Sequence, residues 1–155
     1  MSVILAIDPG WTRTAWAIAD DGKLRRCGSI TPYSLADAKS LIQQLEFSNS
    51  WHVAIVEVPL DRDDPQSHYF AKNLISAMKI QGLAYYVAGL LSAEIVSAHA
   101  WQGHGRGGAQ GKPDALAQLM SAGCERREKG IYYNDKRLNE HEIDAILLAL
   151  WGERR

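Results

Sequence analysis

Val53-Ala54-Ile55-Val56-Glu57-Val58 is an apolar, β-branched run interrupted by a single acid. A run of this kind belongs to a fully buried strand, so the carboxylate inside it must be compensated. The same conflict recurs twice. Residues 3–7 are wholly apolar and end at Asp8, and Asp144 opens residues 145–151, which are apolar around the whole circumference of a helix and belong in a core. Desolvating one unpaired carboxylate costs several kcal/mol. Three converging on one place would repel each other unless a cation stood between them, and magnesium or manganese takes oxygen ligands of this type. Each acid also has a plainer reading. Asp8 fits an Asp-Pro-Gly turn, Glu57 fits an edge strand facing solvent, and Asp144 fits a first-turn helix acid favoured by the macrodipole. The three together make the stronger pattern.

The rest of the chain supplies a frame for them. Residues 12–19 read as a second strand, Asp20-Asp21-Gly22 as a tight hairpin turn, and Lys23–Ile30 as a third, more exposed strand. A helix starts at Ser34, where Ser34 and Asp37 resemble a capping box, with Leu35, Ala38, Leu41, Ile42 and Leu45 as its apolar stripe. Residues 52–58 form the next strand, 69–91 a long helix, and 94–98 a short final strand. A glycine-rich loop spans 103–111, and Pro113 suits the first turn of a helix that ends at Gly123. Residues 125–137 are charged and read as loop. Asn139 caps a last helix over 140–151, with Glu142 placed for the reciprocal contact. The order β-β-β-α-β-α-β-α-α predicts one α/β domain over 1–155. Its mixed five-stranded sheet would hold three meander strands and two parallel ones, with helices on both faces.

Composition sets limits. The chain of 155 residues is long enough for one sizeable core. No apolar run approaches the roughly 18 residues that span a bilayer, and the opening Met-Ser-Val-Ile-Leu-Ala-Ile-Asp has no basic leader, so no signal peptide is expected. Cys27 and Cys124 lie outside any CxxC spacing, which predicts reduced thiols in the cytoplasm and no structural zinc. The net charge of −1 counts mildly against a nucleic-acid partner. Its distribution offsets this: residues 101–137 carry seven Lys/Arg against four acids, a local +3.

The remaining motifs are weaker. His141 precedes Asp144 by three residues, so the two share a helix face; His141 fits a metal site or an oriented water, or simply a solvated first-turn histidine. Gly103, Gly105 and Gly108 fit G-x-G-x-x-G formally, but no clean strand precedes them and no second βαβ strand follows, so no nucleotide cofactor is expected. Gly111-Lys112 is no Walker A, because Arg106 and Pro113 occupy required positions. The loop with Arg106 and Lys112 suits contact with phosphates, the alternative being a solvated loop. The long helix has an apolar face through Phe70, Leu74, Ala77, Met78, Gln81, Ala84, Tyr85, Ala88 and Leu91. Most of that face is expected in the core, while its small residues also permit a second copy to approach.

These segments resemble a known family. ILAIDPGWTRTAWAI is similar to the opening strand and hairpin of RuvC-type Holliday-junction resolvases, VAIVEVPL to their second catalytic strand, and AKNLISAMKIQGLAYYVAGLL to their dimerisation helix. GKPDALAQLM resembles a lysine-bearing helix start near the phosphates, and HEIDAILLALWG the closing segment with two metal-site residues three apart. The resemblance implies an RNase H-like fold and a homodimer, formed through the helix around 69–91, that nicks a four-way DNA junction symmetrically. It implies a catalytic and metal-binding set of Asp8, Glu57, His141 and Asp144 holding two magnesium or manganese ions about 4 Å apart. One ion would activate water and the other would stabilise the leaving 3′ oxygen. Arg13, Arg106 and Lys112 are the expected phosphate contacts. Leu60, Tyr69 and Phe70 are the candidates for an apolar wedge at the crossover. The family pattern often has Asp where this chain has His141, and residues 59–68 form a longer segment than usual.

Three rivals frame the test. A related nuclease on RNA or other branched DNA, including the YqgF-type relatives, shares the metal chemistry. A junction-binding protein without cleavage would not need all three carboxylates. An actin-like phosphotransferase, suggested by Asp8-Pro9-Gly10, needs two such domains, more than this length supplies.

Overall fold

The structure, a computed structural model, describes residues 2–59, 74–102 and 112–155. Five strands form the main sheet: β1 (Ile4–Asp8), β2 (Thr14–Asp20), β3 (Lys23–Ile30), β4 (Val53–Val58) and β5 (Glu94–Ser97). They lie in the order β3-β2-β1-β4-β5. β1 pairs antiparallel with β2, β2 antiparallel with β3, β1 parallel with β4 and β4 parallel with β5. The helices are α1 (Leu35–Ser48), α2 (Leu74–Leu91), α3 (Ala98–Gln102), α4 (Lys112–Ser121) and α5 (Glu140–Glu153).

Strand alternation divides the core into two layers. Ile4, Ala6, Ala15, Ala17, Ala19 and Ile55 face α5 and α4. Leu5, Ile7, Ile18, Ala54, Val56 and Val58 face α1 and α2. The alanines of β2 leave room for α5 to sit close to the sheet. Gly152 marks the tightest point, since a Cβ there would stand 2.5 Å from Ile55 Cδ1 and 3.2 Å from Ile4 Cγ2. By the same alternation Asp8 continues the row of Ile4 and Ala6, and Glu57 that of Ile55, so both acids project towards the α5 side.

The hairpin between β2 and β3 turns on Asp21 and Gly22, both with positive φ (53° and 69°), as a two-residue primed turn requires. Ser34 caps α1 through Asp37 N, but the Asp37 carboxylate accepts from Tyr33 N at 2.8 Å, so the expected reciprocal box closes one residue earlier. At α5 both halves of the box are present: Asn139 Oδ1 accepts from Glu142 N (2.8 Å), and Glu142 Oε1 accepts from Asn139 N (3.0 Å).

Two expectations are corrected. Residues 125–137 are no loop but a small three-stranded antiparallel sheet of β6 (Glu125–Arg127), β7 (Gly130–Tyr133) and β8 (Lys136–Arg137). Its polar strands are stabilised by core contacts of Ile131 and Tyr133 and by a turn at Asn134 and Asp135, both of positive φ. On α2 the buried residues are Ala77, Leu83, Ala84, Val87 and Ala88, whereas Met78 and Tyr85 of the expected core face are 59% and 52% exposed. This helix is apolar on every side, so periodicity alone does not select the face that packs.

Candidate active site

Asp8 stands at the C-terminal end of β1, one residue before Pro9 and Gly10 close a tight turn. Thr14 Oγ1 donates to Gly10 O (2.8 Å) and accepts from Gly10 N (3.1 Å). A Cβ at Gly10 would lie 2.5 Å from Arg13 O, so the turn excludes any side chain there. The turn is further tied to α2 by the indole of Trp11, which donates to Lys79 O at 3.0 Å. Glu57 lies near the end of the adjacent parallel strand β4 and is only 8% exposed. Two acids from neighbouring strand ends thus face the same side of the sheet.

The first turns of α5 complete the group. His141 Nδ1 lies 3.2 Å from Asp8 Oδ2, with the imidazole about half exposed. A carboxylate only accepts hydrogen bonds, so the proton of this contact resides on Nδ1. The pairing raises the His141 pKa, partly against desolvation. Burial is the main cause that pushes Asp144 up to about 6, with Asp8 adding to the rise and His141 opposing it. Glu57 is raised well above the usual carboxylate range, first by burial and then by repulsion from Asp8 and Asp144. Among the described residues His141, when protonated, is a cation paired with this cluster through Asp8.

Trp101, in α3 directly beyond β5, belongs to the same group and has no signal in the sequence that marks it. It packs against the α5-side core. Its indole favours the charged form of Glu57, yet the buried Nε1 closes no hydrogen bond. An unused donor beside a repelled carboxylate is costly in a core.

The donor set fits magnesium or manganese: hard carboxylate oxygens with one imidazole, in a cluster whose mutual repulsion a divalent cation would relieve. Among the described residues no three acidic, histidine or cysteine side chains stand together as a ready-made ion-binding group.

The other expected site residues fall elsewhere. Arg13 is exposed in the turn after β1, at the Asp8 end of the sheet. Lys112 heads α4. Leu60, Tyr69, Phe70 and Arg106 lie outside the described residues.

No family model and no curated protein matches the chain by sequence. Comparison of folds gives a clear result. Thermus thermophilus RuvC in complex with Holliday junction substrate superposes with a TM-score of 0.60, covering 97% of this chain and 92% of that one at 15% identity. The chain has the RNase H-like fold of RuvC. A second T. thermophilus RuvC structure gives a TM-score of 0.56 over 96% of this chain and 92% of the other, again at 15% identity. The likeness to RuvC is therefore one of fold over nearly the full length.

Proposed function

We propose that the protein is a structure-selective DNA endonuclease that resolves four-way junctions by paired, symmetric nicks. The observation that carries this reading is the gathering of Asp8, Glu57, Asp144 and His141, from two adjacent strand ends and one helix, on the α5 side of a RuvC fold. The solved RuvC complex holds a Holliday junction substrate, which supports the same substrate class here.

Asp8, Glu57, Asp144 and His141 would hold two magnesium or manganese ions. Such ions, when bound, generate the attacking hydroxide and stabilise the leaving 3′ oxygen. The chain's own groups prepare the site. The strand ends fix Asp8 and Glu57, and the hydrophobic layer beneath excludes water and strengthens every charge interaction. Asp8 orients the imidazole through Nδ1, which leaves Nε2 of His141 as the nitrogen available to an ion. Arg13 on the Asp8 turn and Lys112 at the head of α4 would contact phosphates. Leu60, Tyr69, Phe70 and Arg106 complete the proposed DNA-binding set.

Paired nicks require two sites related by two-fold symmetry. The exposed side of α2 suits that assembly: Ile75, Met78, Gly82, Tyr85 and Gly89 are all exposed and spaced alternately three and four residues apart, the seam of two packed helices. Among the described residues no helix is long and apolar enough to cross a membrane. The free thiols of Cys27 and Cys124 suit a reducing cytosol.

The test is cleavage of a labelled four-way junction beside linear duplex and RNA–DNA hybrid, with magnesium or manganese, for wild type and Asp8→Asn. Metal-dependent junction cutting, reduced in the variant by more than the roughly 100-fold that outer-shell changes cost, supports the proposal. Hybrid cutting would make the protein an RNase H-type enzyme, and tight binding without cleavage would leave a junction-binding protein.

A further inference from the structure

The β6–β7–β8 ribbon belongs to neither the carboxylate cluster nor the main sheet, yet it is anchored beside both. Leu138 N donates to Ile131 O (2.8 Å), and Lys136 Nζ bonds the buried Glu142 carboxylate (3.2 Å) in the first turn of α5. Asn139 Nδ2 donates to Ser29 Oγ at 3.0 Å. Ser29 is the register partner of Ala15, and Ala15 that of Asp8. The ribbon's tether therefore stands two strand spacings from Asp8, roughly 10 Å.

Its charges are divided unequally. Arg127 is paired with both Glu125 (2.9 Å) and Asp135 (2.6 Å) and lies over the Tyr132 ring at 4.7 Å. Those contacts engage two of the ribbon's three acids and stiffen its outer face. Arg126, Lys129 and Arg137 are exposed, and none of their side chains makes a hydrogen bond or ion pair among the described residues. Only Glu128 is left to balance them. Register puts Arg126 on the ribbon face of Ile131 and Arg137 on the opposite face with Tyr132, while Lys129 sits at the β6–β7 turn. A ribbon with an excess of two positive charges, joined directly to the helix that bears His141 and Asp144, is complementary to a polyanion beside the site.

We infer that this ribbon is a second nucleic-acid contact, in which Arg126, Lys129 and Arg137 grip the sugar–phosphate backbone of one duplex arm beside the Asp8–Glu57–Asp144 cluster. The inference rests on the proposed DNA-cleaving function and deepens it by assigning an arm-holding surface. Contacts of this kind fix the position of the duplex and carry no sequence information.

The experiment is fluorescence anisotropy of a labelled four-way junction and a linear duplex over a salt series, using wild type, the triple variant Arg126→Gln/Lys129→Gln/Arg137→Gln, and Lys39→Gln. Lys39 is exposed on α1, on the opposite side of the sheet, and serves as the charge control. Removing one phosphate-binding cation reduces the slope of log K against log salt by about 0.9. The triple variant is expected to lower that slope by between about 1 and 3, and to weaken binding about tenfold or more at low salt, on junction and duplex alike. Lys39→Gln should leave both unchanged. Wild-type binding matched by the triple variant in affinity and slope overturns the ribbon assignment and leaves the function standing. Failure of the wild type to bind any junction overturns both.

Discussion

Glu57 is a buried carboxyl with a pKa raised well above the usual carboxylate range by burial and by its acidic neighbours. It is buried in a strand, faces two other carboxylates, and has beside it an indole donor that closes no bond. Together with Asp144 and His141 it makes the metal-free fold pH-dependent in one direction. A carboxyl whose folded pKa lies above its unfolded value binds its proton more tightly in the native state, so its stabilising contribution is present at low pH and lost as pH rises through the folded value. For Asp144 that window runs from about 4 to about 6. His141, also raised, loses its contribution above the ordinary histidine value. Melting curves of the metal-free protein should therefore show Tm falling from pH 5 to pH 8, with magnesium restoring it at pH 8 and having little effect at pH 5. Asp144→Asn should abolish cleavage and yet raise the metal-free Tm at pH 8 by a few degrees, corresponding to about 1–2 kcal/mol after solvent screening. A lower Tm for this variant would show that the repulsion is not there.

The three acids were legible in the sequence because each contradicts its apolar neighbours. Trp101 was not, since an indole in a short helix after a strand reads as ordinary core. Its nearness to Glu57 depends on the register Glu57↔Val96 between β4 and β5, which brings the segment after β5 alongside Glu57.

At the scale of elements, α5 carries two of the four candidate site residues, and its first turn is fixed by a capping box and by the pairing of the buried Glu142 with the exposed Lys136. Asn139→Ala removes the acceptor for Glu142 N and the link to Ser29, and is expected to cost about 1–2 kcal/mol in chemical denaturation. The cleavage defect should exceed what that stability loss explains, because His141 is two residues away; an unaffected rate would mean that the box supports only the fold. This cap was readable from Asn139 and Glu142 at their spacing. The ribbon before it was not, because strands of three, four and two residues show too little alternation to register against their charge. The available signal was Tyr-Tyr-Asn-Asp-Lys, an aromatic pair leading into a two-residue turn whose residues both tolerate positive φ.

For the whole molecule, the main sheet and its helical faces followed from the order of elements, while the contact face of α2 did not. That helix has apolar residues on all sides, and only packing reveals that Ala77, Leu83, Ala84, Val87 and Ala88 point inwards. On the proposed function the outward row meets a second copy, and sedimentation should report a dimer at micromolar concentration. Gly82→Arg, at an exposed position with no atom within 4 Å of its Cβ site, should yield a folded monomer with an unchanged circular dichroism spectrum. The monomer should lose coordinated nicking; a dimer that survives this change assembles by another face.

The central claim is that one carboxylate site per subunit acts on a two-fold DNA substrate. The most direct measurement is nick mapping on a four-way junction labelled in turn on each of its four strands, with magnesium present. The account predicts cuts on two opposing strands at positions related by the junction's two-fold axis, all absent in Asp8→Asn. Cuts confined to one strand, or equal cutting of the linear duplex, would contradict it.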